Sequence, residues 1–593
     1  MGRPFGAKLI VAAGDETSSD VDCKVGRRGP LFIRTNDSLA FRMMANNSIR
    51  ILVLVALSWV CLAVYFLLPQ EKFEPYLSFS SHSNESAIPP ASSLSLKPAA
   101  LHLIVPASNP DPNLCKVLLS AGVLGYPSPV IVNWNHTFAD DRYVEGGSHL
   151  AKLSGVETYL SSLEDAQDED LVLMVDGYDV WLQLRPQTLV SRFYDINRKA
   201  DARLAKELGP AQTTWNIHQE VVFGVQKRCW PWTFDDPPCY AAPESTLPAD
   251  IYGPDTDTDI GSEPNPYIKF RPRYTNSGVV MGTVRGMRKM FRQAVMRLES
   301  TEGEKNMGSD QYVLAHIIGD QNVWREAVRR DEEAKVEGSK IGRGLSGLLD
   351  GWRKKPPKEA IQYNEDHIRQ VREKAALEPD GTLEFGVGYD YWSELGLATV
   401  FQEDETEWLV WSNSTQVSGV EATYGLPLKK SRLRKFPEDV SHTPPPFHTF
   451  NDEPLLPRNT SWDQVPLFTN AYTGVVPAVI HHNAHRDGRK KLREEWWDKL
   501  WMQPYARVLY DASIWEPIMP VAYAGGEGGE GSANVRKEYW PAERWKGGAR
   551  TSPSSANGTQ VKTEWLRFDD VCKAYHEEVF RDGKGPWTLP EAH

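Results

Sequence analysis

Leu171-Val-Leu-Met-Val-Asp-Gly-Tyr-Asp-Val180 is an apolar run that ends abruptly in two carboxylates. Leu171 to Val175 has the length and apolar continuity of a buried strand, and Asp176 and Asp179 follow at its C-terminal end, where open α/β sheets place their ligands. Carboxylates this close repel each other unless a cation lies between them, and hard oxygen donors suit Mg or Mn. The same residues also read as an ordinary strand followed by a turn, because Asp-Gly is a common turn dipeptide.

Working outward, 101–105 is a strand candidate, 115–124 an amphipathic helix and 129–134 a second strand, an order that predicts a parallel α/β sheet. Glu145-Gly-Gly147 leads into a helical stretch over 149–163, and a further helix begins at Arg185 before a strand over 220–225. Together these segments predict a Rossmann-like nucleotide-binding half. No Gly-x-Gly-x-x-Gly follows the first strand, which argues against a dinucleotide fold.

Residues 235–267 are acidic and Pro-rich and predict a long loop. Asp255, Asp257 and Asp259 alternate there as in a calcium loop, but the glycine and closing Glu of an EF-hand are missing, which favours a solvated loop. Tyr274 to Gly282 is a polar turn entering an apolar segment, and Ser309 or Asp310 stands ready to cap an apolar helix over 312–318. The charged stretch 325–374 and the Pro-rich stretch 427–466 read as irregular insertions carrying little of the core. Strand character returns at 475–480 and runs into His481-His482-Asn483, then a Trp-rich helix over 492–502. Beyond 521 the chain reads as a loosely ordered tail with one helix at 568–580.

Residues 51–68 carry no charge over eighteen positions, just enough to cross a bilayer. Arg and Lys are frequent before this run and sparse after it, so positive-inside logic places 1–50 in the cytosol, makes 51–68 a signal anchor and 69–100 a Ser/Pro-rich stem, and leaves 101–520 and the tail in the lumen. The predicted address is therefore a single-pass type II protein of the Golgi or ER membrane. Asn84, Asn135, Asn413, Asn459 and Asn557 head glycosylation sequons on the lumenal side. Of six cysteines, Cys115, Cys229, Cys239 and Cys572 fall in the lumenal part, an even number compatible with disulfides, with Cys229 and Cys239 a candidate short loop. A net charge of −13 without a basic block argues against a nucleic-acid partner.

Four pieces carry chemistry together: Asp176-Gly-Tyr-Asp179, Asn276-Ser-Gly278, Asp310-Gln311 and His481-His-Asn483. With Val221-Val-Phe-Gly224 and Cys229-Trp-Pro231 they occur in the order found in the glycosyltransferase domain of the procollagen lysyl hydroxylase/glucosyltransferase family, which this chain resembles over roughly 101–500. The resemblance implies a GT-A fold of the α/β class, a UDP-sugar donor and Mn (or Mg). It implies Asp176 and Asp179 as metal ligands with His481 as the third, Tyr178 and Trp134 as aromatic contacts to the nucleotide, and Lys490 near the diphosphate, with Asn483 beside it. Asn276 is a candidate for binding sugar hydroxyls, and Asp310 for the same task or for acting as a base toward the acceptor, although Asp310 also fits a plain helix cap. Two departures stand out: His482 replaces the family's Gly, and the acidic run before the Asp-Gln pair is reduced to Asp310.

The expected activity is transfer of a hexose from a UDP-sugar to a protein or glycan acceptor. Two other classes stay open. His485-Arg-Asp487 matches half of an iron facial triad, with His576 a distal candidate, which would fit an iron/2-oxoglutarate hydroxylase. A non-catalytic lumenal lectin-like protein would retain the fold without the chemistry. His481 and His485 also form an i, i+4 pair, but the Glu of a zinc-protease motif is missing.

Overall fold

The computed structural model describes residues 98–136, 147–258, 265–300, 309–338, 361–447, 455–457, 459–484, 492–525, 536–552, 555–556, 559–560 and 563–587. All of them belong to one compact unit, Ala91–His593. The expected anchor at 51–68, the segment before it, the stem up to residue 97 and Lys490 lie outside the described residues. Among the described residues no helix is long and apolar enough to cross a membrane.

The chain folds as an α/β structure on one 10-stranded, mixed and mostly parallel, Rossmann-like sheet. β1 (Ala99–Pro106), β2 (Val130–Val132) and β3 (Leu171–Val175) run parallel, with β1 central among the three. β6 (Tyr274–Thr283) runs antiparallel between β3 and β5 (Val221–Gln226), and β7 (Val387–Tyr389) closes that edge, parallel to β5. β3 reads as a continuous apolar run because it is covered on both faces. Leu171, Leu173 and Val175 join one core cluster, whereas Val172 and Met174 join the other. The helix Pro112–Leu124 packs on the first face, and the helices Ser148–Ser161 and Val284–Ser300 pack on the second.

A second, smaller sheet forms where the acidic stretch turns. β4 (Val180–Leu182) pairs antiparallel with β11 (Val479–His481), which in turn runs parallel to β8 (Gly396–Ala398). The register sets His481 opposite Val180, one residue from Asp179.

Three sequence expectations are corrected. The stretch beyond 521 is not a loose tail: β13 (Lys537–Pro541) pairs with β1, and β14 (Gly548–Thr551) pairs with β2 and with the strand Trp565–Arg567. Its apolar anchors, Tyr539, Ala549, Phe568 and Trp587, are spaced too widely to show a period, yet all are buried in the main core. Nor is 325–374 irregular at its ends. The helix Asp310–Gly338 runs into its first part, Glu365–Ala375 adds another at its far end, and Ala327, Ile368 and Val371 are core residues. The charge that hid these helices sits on their outer faces, in pairs such as Arg330–Glu365 and Arg372–Asp331. The 427–466 stretch is mostly irregular, as expected, but it buries Leu433, Val440, Phe447 and Trp462 in the core.

Cys229 and Cys239 form the short disulfide that their spacing allowed, and Cys115 pairs with Cys572 across 457 residues. Two disulfides suggest an extracellular or lumenal domain.

Candidate metal centre

Asp176, Asp179 and His481 converge at the C-terminal end of β3, each offering a ligand atom within 4.8 Å of the others. His481 Nε2 lies 3.7 Å from Asp176 Oδ2 and 3.5 Å from Asp179 Oδ2. Two glycines make this approach possible. A Cβ on Gly278 would fall 2.0 Å from His481 Cε1, and one on Gly177 would fall 2.6 Å from the Pro106 carbonyl oxygen. Any side chain at either position would push the imidazole or the acidic turn out of place.

The imidazole is held by Asn276. His481 Nδ1 lies 3.0 Å from Asn276 Oδ1, and the Asn276 amide donates to Gln226 Oε1 at 3.0 Å, which identifies Oδ1 as the acceptor. Nδ1 therefore carries a proton, which leaves Nε2, the nitrogen facing the carboxylates, as the one that would give up its proton to a cation entering among them. Asn276 Oδ1 also accepts the Gly278 backbone N–H at 3.2 Å. The 2 % exposed Asn276 side chain is thus hydrogen-bonded to the histidine and to Gln226 and orients the imidazole, a role the sequence reading did not assign to it.

Charge in the site is balanced by a residue that the sequence reading missed. Lys152, on the helix Ser148–Ser161, is 5 % exposed and places Nζ 2.6 Å from Asp176 Oδ1, 2.9 Å from Asp310 Oδ2 and 3.1 Å from the Ser277 carbonyl. Burial opposes its charge, but the Asp176 and Asp310 carboxylates outweigh burial and hold the ammonium above its ordinary pKa. A lysine four residues before Val156, on the buried face that Leu153, Val156 and Leu160 form, was the available signal.

The paired acids are pushed apart. Burial raises Asp176, and neighbouring Asp179 adds to this against the pull of Lys152. Burial also works on Asp179, but the His481 imidazole, by charge and by hydrogen bond, overrides it and brings Asp179 down to about 2. Burial likewise opposes a charge on His481, yet Asp179 and Asp176 raise it. A divalent cation among these groups would do what the proton on His481 now does.

Tyr178 is partly buried, and its hydroxyl accepts the Ser108 and Asn109 N–H groups at 2.8 and 2.9 Å. Its ring and Trp134 pack partly buried against the same core cluster, just beyond β3 and β2, the two strands that flank β1. Arg493, also missed, donates to the Tyr178 carbonyl and to the His482 carbonyl, each at 3.0 Å, clamping the two acidic and histidine segments together. Asn483 accepts the Val400 N–H at 3.1 Å, so it tethers the loop after β8. His482, the residue standing where the resembled family has Gly, is buried against Trp181 with ring centroids 3.8 Å apart. Asp310 opens the helix Asp310–Gly338 in ion-pair contact with Lys152, and the adjacent Gln311 lies 3.4 Å from Ser277 N and donates to the Trp230 carbonyl at 2.9 Å. An ammonium on its carboxylate makes Asp310 a charge partner of Lys152 in this structure, not a free base. Of the alternating acids of the 235–267 stretch, Asp255 is neutralised by Lys269 and Asp257 by Arg271, and Asp259 lies outside the described residues.

The donor set fits a divalent cation: two carboxylates and an imidazole whose tautomer is already set. Carboxylates alone would admit Mg or Ca, and the imidazole shifts preference toward a transition metal such as Mn. No protein-family model matches this chain, and no curated protein matches it.

Proposed function

We propose that this protein is a divalent-metal-dependent glycosyltransferase of the GT-A type, using a UDP-sugar as donor and a protein or glycan as acceptor. The observation that carries the reading is Asp176, Asp179 and an Asn276-oriented His481 gathered at the C-terminal end of β3 in a Rossmann-like sheet. A UDP leaving group develops negative charge as the sugar–phosphate bond breaks, and a bound divalent ion supplies the Lewis acid that stabilises it. Asp176, Asp179 and His481 would hold that ion. Trp134 and Tyr178 border the same end of the sheet and supply aromatic surface for a flat base. The likeness of the motifs to the procollagen glucosyltransferase domain supports the same donor class, and the secretory setting follows from the disulfides and the expected anchor.

Lys152 has a further task in this reading. Its ammonium holds Asp176 by Oδ1 while His481 faces Oδ2, so it would fix and neutralise that ligand without competing for the metal.

The hydroxylase reading finds no support at its distal histidine. His576 accepts the Trp587 N–H on Nδ1 and faces Asp569 Oδ1 at 3.1 Å from Nε2, within a core of aromatic rings. Its partner motif, His485 to Asp487, lies outside the described residues. A lectin-like protein would not need a histidine ligand set in its metal-binding tautomer.

Calorimetry of the full chain with UDP, with and without Mn, tests the proposal. UDP binding that requires Mn and disappears in Asp179→Ala is the expected result; binding of iron and 2-oxoglutarate, with none of UDP, would overturn it.

A further inference from the structure

Away from the metal centre, the β7 edge of the main sheet borders a cavity of about 910 Å³. β7 stands three strand positions from β3, about 14 Å across the sheet. The cavity opens between the C-terminal half of the helix Pro186–Leu208 and the helix Asp310–Gly338, with exposed Glu207, Glu244 and Glu333 at its rim.

One of its polar groups is left free. Asn322, 6 % exposed, lines the cavity with its amide turned to the Tyr389 hydroxyl. Tyr391 is 5 % exposed, and its hydroxyl has no hydrogen-bond partner among the described residues. Tyr389 is pinned through its hydroxyl to Thr275 Oγ1 at 3.2 Å and lies 5.7 Å, ring centre to ring centre, from Tyr391. Tyr363 adds a third ring to the lining.

Charge selects the ligand class. Three arginines line the cavity against four glutamates, and two of those arginines are already neutralised: Arg325 is bidentate to Glu384 at 2.7 and 2.5 Å, and Arg329 is paired with Glu326 at 2.7 Å. The glutamates are paired too, Glu244 with Arg271 and Arg273, Glu326 with Arg329 and Arg330, and Glu333 with Arg329, while Glu207 and Arg203 offset each other, so neither an anion nor an amine finds excess countercharge. An apolar ligand would leave the Tyr391 hydroxyl unpaired. A neutral polyol fits: each hydroxyl both donates and accepts, and sugar C–H faces pack on tyrosine rings. The volume lies within the range of small-ligand sites and accommodates roughly a di- or trisaccharide.

We propose that this cavity is a second carbohydrate-binding site, built for a neutral oligosaccharide and independent of the metal centre. It stands whether or not the transferase reading holds.

The test is a titration of the full chain with maltotriose, cellotriose and mannotriose in EDTA, read by calorimetry and saturation-transfer NMR. At least one trisaccharide is expected to bind. Tyr391→Phe, which keeps the ring and removes only the hydroxyl, should weaken it about fivefold. A thermal melt shows that the variant is folded. Asp179→Ala should leave trisaccharide binding unchanged. The proposal is overturned if none of the three sugars binds, if binding is lost in Asp179→Ala but kept in Tyr391→Phe, or if inorganic phosphate displaces the sugar.

Discussion

Lys152 Nζ lies 2.6 Å from Asp176 Oδ1, so a buried ammonium already balances one of the two acids that face His481. Removing it would leave two carboxylates, Asp176 and Asp310, poorly compensated. Lys152→Met should therefore lower the stability of the metal-free protein by about 3 kcal/mol, and Mn should restore more of that loss than it adds to the native protein. Thermal melts of both proteins with and without Mn check this. A loss that Mn does not relieve would show that Lys152 acts through packing alone.

The hydrogen bond from His481 Nδ1 to Asn276 Oδ1, at 3.0 Å, makes a separate prediction. Asn276→Ala frees the imidazole to rotate and to take the wrong tautomer. Mn affinity should fall by about 10- to 100-fold. Electron paramagnetic resonance of free against bound Mn measures it directly; an unchanged affinity would rule out the orienting role.

Gly278→Ala should be more severe than its size implies, because the added Cβ would sit 2.0 Å from a His481 ring atom. Loss of Mn binding is expected in a protein that still folds on its other strands. If the variant binds Mn normally, the imidazole does not ligate from the position described.

Acid stability has an identifiable contributor on the helix Asp310–Gly338. Burial of Asp320 opposes its charge, but His316 at 3.3 Å and Lys374 at 2.7 Å bring its pKa down to about 2 from 3.8. A carboxyl depressed in the folded state contributes stability that is present above its unfolded pKa and is lost as pH falls through its folded one. Asp320 should thus supply about 2 kcal/mol at neutral pH, lost between about pH 4 and pH 2. Relative to the native protein, Asp320→Asn should be less stable at pH 6 and should lose less stability across that window in urea titrations. Parallel acid curves would exclude this assignment.

Cys572→Ser tests the role of the C-terminal segment, since the bond to Cys115 ties the helix Pro112–Leu124 to residues that complete the core. A loss of about 4 kcal/mol is expected. Hydrogen exchange should quicken first in the helices Phe568–Cys572 and His576–Phe580. Uniform quickening across β1 to β3 would instead mean that the bond supports the whole sheet.

The parts that could be read without a structure share a physical character. β3 and the acids after it were legible because a strand covered on both faces must be apolar along its whole length, and because carboxylates at such an end have few uses other than a turn or a cation. The Cys229–Cys239 loop was legible because both residues lie close in sequence. The C-terminal strands were not. β13 and β14 are short, rich in Trp, Lys and Arg, and owe their existence to parallel pairing with β1 and β2. Those partners lie more than 400 residues away, and no local period records that pairing. The helix through 325–338 was hidden for a different reason: its outward-facing charges outnumber the few buried positions, such as Ala327 and Val328, that anchor it.

Local chemistry in the chain thus determined the class of fold, the acidic end of β3 and the histidine that could serve it, since burial pattern and side-chain type are properties of short segments. Tertiary structure decided which groups meet. It set Lys152 against Asp176 and Asp310, brought Asn276 onto His481 Nδ1, and opened the cavity beside β7. Each of these joins side chains more than twenty residues apart, and distance in sequence carries no information about the few ångströms over which a hydrogen bond or an ion pair acts.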